Sequence, residues 1–173
     1  MFERTLRTTL LRLAASFPIV AVTGPRQSGK TTLVRNVFAD KPYVSLEDPI
    51  ERDFAQEDPR GFLARFPAGA IFDEAQRWPD LFSHLQGAVD ADRRPGRFIL
   101  TGSQRFGLLS GVTQSLAGRV GMTRLLPLAL GELPANDLAR LDPDALMLTG
   151  LYPELHARPI DAGDWHASYV ATY

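Results

Sequence analysis

The chain is 173 residues long and 45% hydrophobic, with a formal net charge of −1 and no cysteine. That length and apolar content suit one domain with a real core and exclude a disordered chain, and the near-neutral charge argues against a strongly basic nucleic-acid surface. The lack of cysteine excludes disulfides and thiolate metal sites and fits a reducing cytoplasm, and no apolar run approaches the roughly 18 residues that span a bilayer, so no membrane association is expected.

In chain order, Phe2, Leu6, Leu10, Leu13 and Phe17 recur at steps of three and four and predict an amphipathic helix within residues 1–17 that docks on the domain. Arg4, Arg7 and Arg12 alternate with leucines and also resemble a transit peptide, but the docking helix is preferred. Pro18 to Thr23 is an apolar run of strand length, and Leu33, Val34, Val37 and Phe38 place a helix over 31–38. Pro42 to Leu46 reads as a second strand. Glu47-Asp48-Pro49 ends it and opens a helical stretch with Ile50, Phe54, Phe62, Leu63 and Phe66, interrupted at Asp58-Pro59. Further strands are expected at Ala70–Phe72, Phe98–Thr101 and Val120–Leu126, with helices after Trp78-Pro79-Asp80 and over Leu108–Leu116. This alternation predicts an α/β fold, a parallel sheet of about five strands with helices on both faces. Beyond Leu128 only short helical pieces follow. Trp165, Tyr169 and Tyr173 keep an aromatic helix face running to the last residue, so 129–173 reads as the start of a helical lid or linker in an apparently truncated chain.

The residues between the first strand and its helix carry the chemistry. Gly24-Pro25-Arg26-Gln27-Ser28-Gly29-Lys30-Thr31 is a complete Walker A phosphate-binding loop in the strand, loop and helix context that the motif requires. Amides from about Gln27 to Thr32, with Ser28 and Gly29 between them, can face one concavity, where the helix adds its unpaired N-terminal amides and its positive dipole end. Gly24 and Gly29 permit the backbone geometry. Lys30 is expected to reach the β- and γ-phosphates, and the Thr31 hydroxyl to ligate magnesium. Lys30 and Lys41 are the only lysines among 19 basic residues, which makes a lysine at the motif position hard to ascribe to composition.

Ala70-Ile71-Phe72-Asp73-Glu74 has the Walker B pattern of an apolar strand followed by two carboxylates. Asp73 is expected to hold the magnesium shell, and Glu74 to accept a proton from the attacking water or to orient it. It lies where ligands of parallel sheets gather, at the C-terminal end of a strand. Phe98 to Gln104 ends in small polar residues, so Ser103 or Gln104 is the candidate sensor of the γ-phosphate. Arg119 is the candidate arginine finger, acting within its own chain or on a neighbouring subunit. Glu47-Asp48 reads as a helix cap, with polarisation of the site as its alternative role. Arg26 and Gln27 are candidates for contacting phosphate or a neighbouring element. His84, His156 and His166 are too scattered to suggest a metal site.

With these residues in place the chain resembles a family of bacterial and archaeal AAA-like P-loop ATPases. The resemblance is carried by residues 24–32, Leu46-Glu47-Asp48-Pro49, Phe72-Asp73-Glu74-Ala75-Gln76, Leu100-Thr101-Gly102-Ser103, Ser115 to Arg119 and Leu126-Pro127-Leu128. It implies a P-loop NTPase three-layer sandwich with strand order 5-1-4-3-2, an ATPase core over 18–128, hydrolysis of ATP with Mg2+ through Lys30, Thr31, Asp73 and Glu74, and a C-terminal domain of nuclease-like fold. Such a domain leaves a protein or nucleic-acid partner open, as it does a homo-oligomer. One departure is Leu151 in Gly150-Leu151-Tyr152-Pro153-Glu154, where the family usually has a second glycine. Two alternatives stand beside the ATPase. One is a P-loop small-molecule kinase, with Arg93, Arg94 and Arg97 as lid candidates; the other is a nucleotide-binding switch with negligible hydrolysis.

Overall fold

The computed structural model describes residues 2–103, 116–138 and 142–172. Its centre is a five-stranded parallel sheet of β1 (Ile19–Thr23), β2 (Tyr43–Ser45), β3 (Ile71–Asp73), β4 (Phe98–Gly102) and β5 (Val120–Arg124) in the order β2-β3-β4-β1-β5. This is the expected order 5-1-4-3-2 read from the other edge. Parallel registers such as Thr23 opposite both Gly102 and Arg124, and Ser45 opposite Asp73, align all the C-terminal strand ends along one edge.

Both faces of the sheet are covered at its centre, which explains why β1, β3 and β4 are buried along their whole length without alternation, whereas the edge strands β2 and β5 are partly exposed. Along β1, Ile19 and Ala21 point into one core and Val20 and Val22 into the other. The first core receives α3 (Pro49–Glu57), α4 (Pro59–Ala64) and α5 (Leu81–Ala91) through Ala55, Phe62, Leu81 and Leu85. The second receives α1 (Leu6–Ala14) and α2 (Lys30–Val37) through Leu10, Leu13, Leu33 and Val34. The result is the P-loop NTPase sandwich.

Local signals set the element ends. Asp48 accepts from the Ile50 N–H at 3.0 Å, and Asp58 accepts from the Gly61 N–H at 2.9 Å, so each caps a helix whose first residue is a proline. Asp58-Pro59 thus divides the expected stretch into two helices. Trp78 is buried and packs edge-on to Phe62 at 5.6 Å, as expected of a residue that seats the start of α5. The N-terminal helix is shorter than the apolar spacing suggests. It begins at Leu6 because the residues before it are drawn into side-chain contacts elsewhere in the fold. Of the expected helix over 108–116 only Leu116 lies within the described residues, and it is buried in the first core. After β5 come a 3-10 turn at Leu130–Glu132 and short helices at Ala135–Leu138, Pro143–Thr149 and Pro153–Ala157, then a helix at Ala162–Thr172. No helix among the described residues is long and apolar enough to cross a membrane.

Candidate nucleotide-binding site

The C-terminal edge of the sheet places a glycine loop, a helix N-terminus and two acidic residues together. β1 ends at Thr23 and α2 begins at Lys30, and the six residues between them turn with positive φ at Gly24 (149°), Gln27 (58°) and Gly29 (91°). The first glycine is sterically required: a Cβ there would lie 2.0 Å from the backbone oxygen of Leu125, which follows β5. Ser28 is fully buried in the loop, and its hydroxyl has no hydrogen-bond partner among the described residues. Lys30 folds back, its Nζ donating to the carbonyls of Gly24 at 3.1 Å and Pro25 at 2.8 Å. Burial holds the Lys30 ammonium below its ordinary pKa, while Glu74 and Asp73 pull it back up and Arg26 adds to the lowering.

Asp73, the last residue of β3, is the hub. The Thr31 hydroxyl on the first turn of α2 donates to its two carboxylate oxygens at 3.0 and 2.9 Å, the Tyr43 hydroxyl at the start of β2 donates at 2.7 Å, and the Thr101 hydroxyl on β4 donates as well. Burial, and next the bond to Asp73, pushes the Tyr43 hydroxyl up to about 12. Glu74 follows in the left-handed region at φ 54°, which is uncommon for a residue with a side chain and turns it out of the strand. Its N–H donates to Thr101 Oγ1 at 3.2 Å, and its Oε2 accepts from Gln76 Nε2 and from Ser103 Oγ, the latter at 3.4 Å. Gln76 Nε2 also donates to Ser103 Oγ at 3.2 Å.

The structure therefore brings together Gly24, Gln27, Ser28, Gly29, Lys30, Thr31, Thr32, Asp73, Glu74 and Ser103. Gln104 lies outside the described residues. Arg119 is not brought to this site in its own chain. It precedes β5, at the opposite edge of the sheet, and is bound bidentately to Asp90 of α5 at 2.7 and 2.9 Å. The lid candidates are at that opposite edge too: Arg94 and Arg97 pair with Asp92 just before β4. Asp48 caps α3, whereas Glu47 reaches Arg77 at 3.7 Å and lines the cleft.

Sequence reasoning missed Tyr43, Thr101 and Gln76 as site residues. No motif marks Tyr43; Thr101 and Gln76 lie within stretches that carry the family resemblance, but nothing local assigns either a role. The loop opens into a cleft of about 1080 Å³ that runs from Gly29, Lys30, Thr31 and Glu74 to Phe2 and Arg7 on one side and Pro153, His156 and Arg158 on the other. Arg26 and Gln27 both line it.

Known proteins share this architecture. A family profile described as an AAA domain matches residues 16–134. Two uncharacterized proteins, from Mycobacterium tuberculosis and Mycobacterium bovis, are each 35% identical over 174 residues, a match that takes in 99% of this chain and 38% of each relative. The chain thus spans well under half the length of these relatives. Among solved structures, the Walker-type ATPase of Pyrococcus abyssi matches with a TM-score of 0.60 at 17% identity, over 99% of this chain and 72% of that one. A signal transduction ATPase with numerous domains and a tetratricopeptide repeat sensor, from Pyrococcus horikoshii, matches at 0.59 and 17% identity, over 88% of this chain and 28% of that one. AMPPCP-bound DnaA from Aquifex aeolicus matches at 0.54 and 13% identity, over 88% and 56%. These likenesses carry the fold, and the profile match, which takes in most of the chain together with its phosphate loop and acidic strand end, shows that the chain belongs to the AAA domain family of P-loop ATPases.

Proposed function

We propose that this AAA core binds ATP with Mg2+ and hydrolyses it, coupling the nucleotide state to a module in the length of the relatives that this chain does not span. The observation that carries the reading is the convergence of the Thr31 hydroxyl and the Asp73 carboxylate at 2.9 Å, at the N-terminus of α2 and beside Glu74. Hydroxyl and carboxylate oxygens are the donors that a hard divalent cation accepts, and the glycine-shaped loop, with Gly29, Lys30 and Thr32 lining the cleft at the N-terminus of α2, fits a phosphate chain. Thr31 and Asp73 would hold Mg2+, which when bound supplies neutralisation of charge on the β- and γ-phosphate oxygens.

The chain's own groups divide the remaining work. Loop amides and Lys30 bind the triphosphate, and Lys30, its ammonium desolvated, meets phosphate charge more strongly than a solvated lysine would. Glu74 orients water and takes its proton. Ser103 and Gln76 hold the Glu74 carboxylate, so they set where that base points. The cleft beyond the loop has the size of a small-molecule site and leaves room for the nucleoside. A kinase reading is disfavoured by the position of Arg94 and Arg97 at the far edge of the sheet.

Phosphate release measured without any acceptor tests the reading. Wild type should release phosphate from MgATP. Glu74→Gln should bind ATP almost as well and turn over roughly 10² to 10⁴ times more slowly. Binding with background turnover in both proteins would favour the nucleotide switch instead.

A further inference from the structure

We infer that Arg4, in the segment before α1, is a positioning residue for the phosphate loop; this rests on the reading of that loop as a triphosphate site. Arg4 is 7% exposed, and all three of its guanidinium nitrogens are engaged. Nε donates to Glu132 Oε2 at 2.9 Å, Nη1 donates to the Ser28 carbonyl at 2.8 Å, and Nη2 donates to the carbonyls of Leu126 at 2.6 Å and Pro127 at 3.2 Å. One planar fork thus joins the N-terminal segment, the phosphate loop and the chain after β5.

The bond to Ser28 matters because of the peptide it belongs to. The Ser28 carbonyl and the Gly29 N–H lie on the same trans peptide and point in opposite directions. Gripping the carbonyl from outside aims the Gly29 N–H into the loop that Gly24 to Lys30 enclose. Gly29 has φ 91° and no side chain, so nothing of its own fixes that peptide plane. Arg4 supplies the constraint.

The other end of the fork is equally fixed. The Glu132 carboxylate accepts from the Thr5 N–H at 2.7 Å, the Thr5 hydroxyl at 2.8 Å and the Ala129 N–H at 3.0 Å as well as from Arg4. Its side chain is 4% exposed. Glu132 therefore anchors Arg4 but does not itself touch the loop. A lysine could pair with Glu132 yet could not also span the Ser28 and Leu126 carbonyls, because an ammonium is a compact point donor.

Calorimetric titration with Mg2+-tripolyphosphate and with MgATP, well below each protein's unfolding temperature, tests the inference. Tripolyphosphate has no base or sugar, so it reports the loop alone. Arg4→Lys should lower affinity for both probes about tenfold, the scale of one charge-assisted hydrogen bond. Arg4→Gln, which keeps a planar donor without charge, should lose at least as much. Glu132→Gln removes the charge from the same buried cluster and should lower the thermal midpoint, yet it keeps an amide oxygen to accept from Arg4 Nε and leaves the Leu126 and Pro127 carbonyls in place, so tripolyphosphate affinity should stay within about twofold. Wild-type affinity in both Arg4 variants, or equal losses in Arg4→Lys and Glu132→Gln, would overturn the inference. Failure of wild type to bind either probe would instead overturn the phosphate-site reading, and the role of Arg4 with it.

Discussion

Thr31 and Asp73 meet at 2.9 Å across two neighbouring elements of the sandwich, the first turn of α2 and the last residue of β3. Three hydroxyls, from Thr31, Tyr43 and Thr101, converge on that one carboxylate, so its position is set from three directions before any ligand arrives.

If Asp73 holds the cation, Asp73→Asn should erase most of the difference between ATP affinity with Mg2+ and with EDTA. The expected loss in the presence of Mg2+ is at least tenfold, with the metal-free affinity little changed. Titration of both proteins in the two buffers checks this. An unchanged Mg2+ dependence would move the metal site elsewhere.

Tyr43 gives a pH signature. Its folded pKa, about 12, lies above the ordinary value of 10.0 because of burial and the bond to Asp73. Between those values the unfolded chain loses the proton and the folded chain keeps it, so the folded state binds more protons and stability falls as pH rises through that window. Below pH 10 the group has no effect on the slope. Tyr43→Phe should flatten this alkaline decline, read as thermal midpoint against pH from 9 to 12, and absorbance titration should show one tyrosine ionising late.

Gly24→Ala is expected to be severe. The new Cβ would lie 2.0 Å from the Leu125 carbonyl oxygen at a φ of 149°, and a backbone atom cannot step aside as a side chain can. Triphosphate binding should disappear together with a clear drop in thermal midpoint. A variant with both properties intact would mean that the approach of the loop to the chain after β5 is looser than described.

Arg119→Ala should leave ATP affinity within about twofold, since the side chain is bound to Asp90 at the opposite sheet edge. Titration checks it, and a large loss would require the finger role on a neighbouring subunit.

What the sequence shows of this site follows contiguity. The phosphate loop is a run of residues whose spacing is itself the mechanism, and Asp73-Glu74 closes a strand, so both are legible without coordinates. The strand order was implied by resemblance, and the five strands by their short apolar runs. Tyr43 and Thr101 lie at ordinary strand positions and become site residues only because β2, β3 and β4 are neighbours. Arg4 stands in the sequence as one of three arginines that alternate with leucines near the start of the chain. Its partners, Ser28, Leu126 and Glu132, are far along the chain, and no local pattern encodes such a meeting. Arg119 shows the complementary limit: its local motif is legible, but only the direction of β5 shows that within its own chain it lies at the edge of the sheet opposite the loop.

The most direct measurement is thermal unfolding of wild type and Lys30→Ala, each with and without MgATP at about 100 times its dissociation constant for wild type. Linkage gives about 2.7 kcal/mol, a midpoint shift of about 5 to 10 °C for a domain of this size. The account predicts that shift in wild type and none in Lys30→Ala; no shift in either, or the same shift in both, would contradict it.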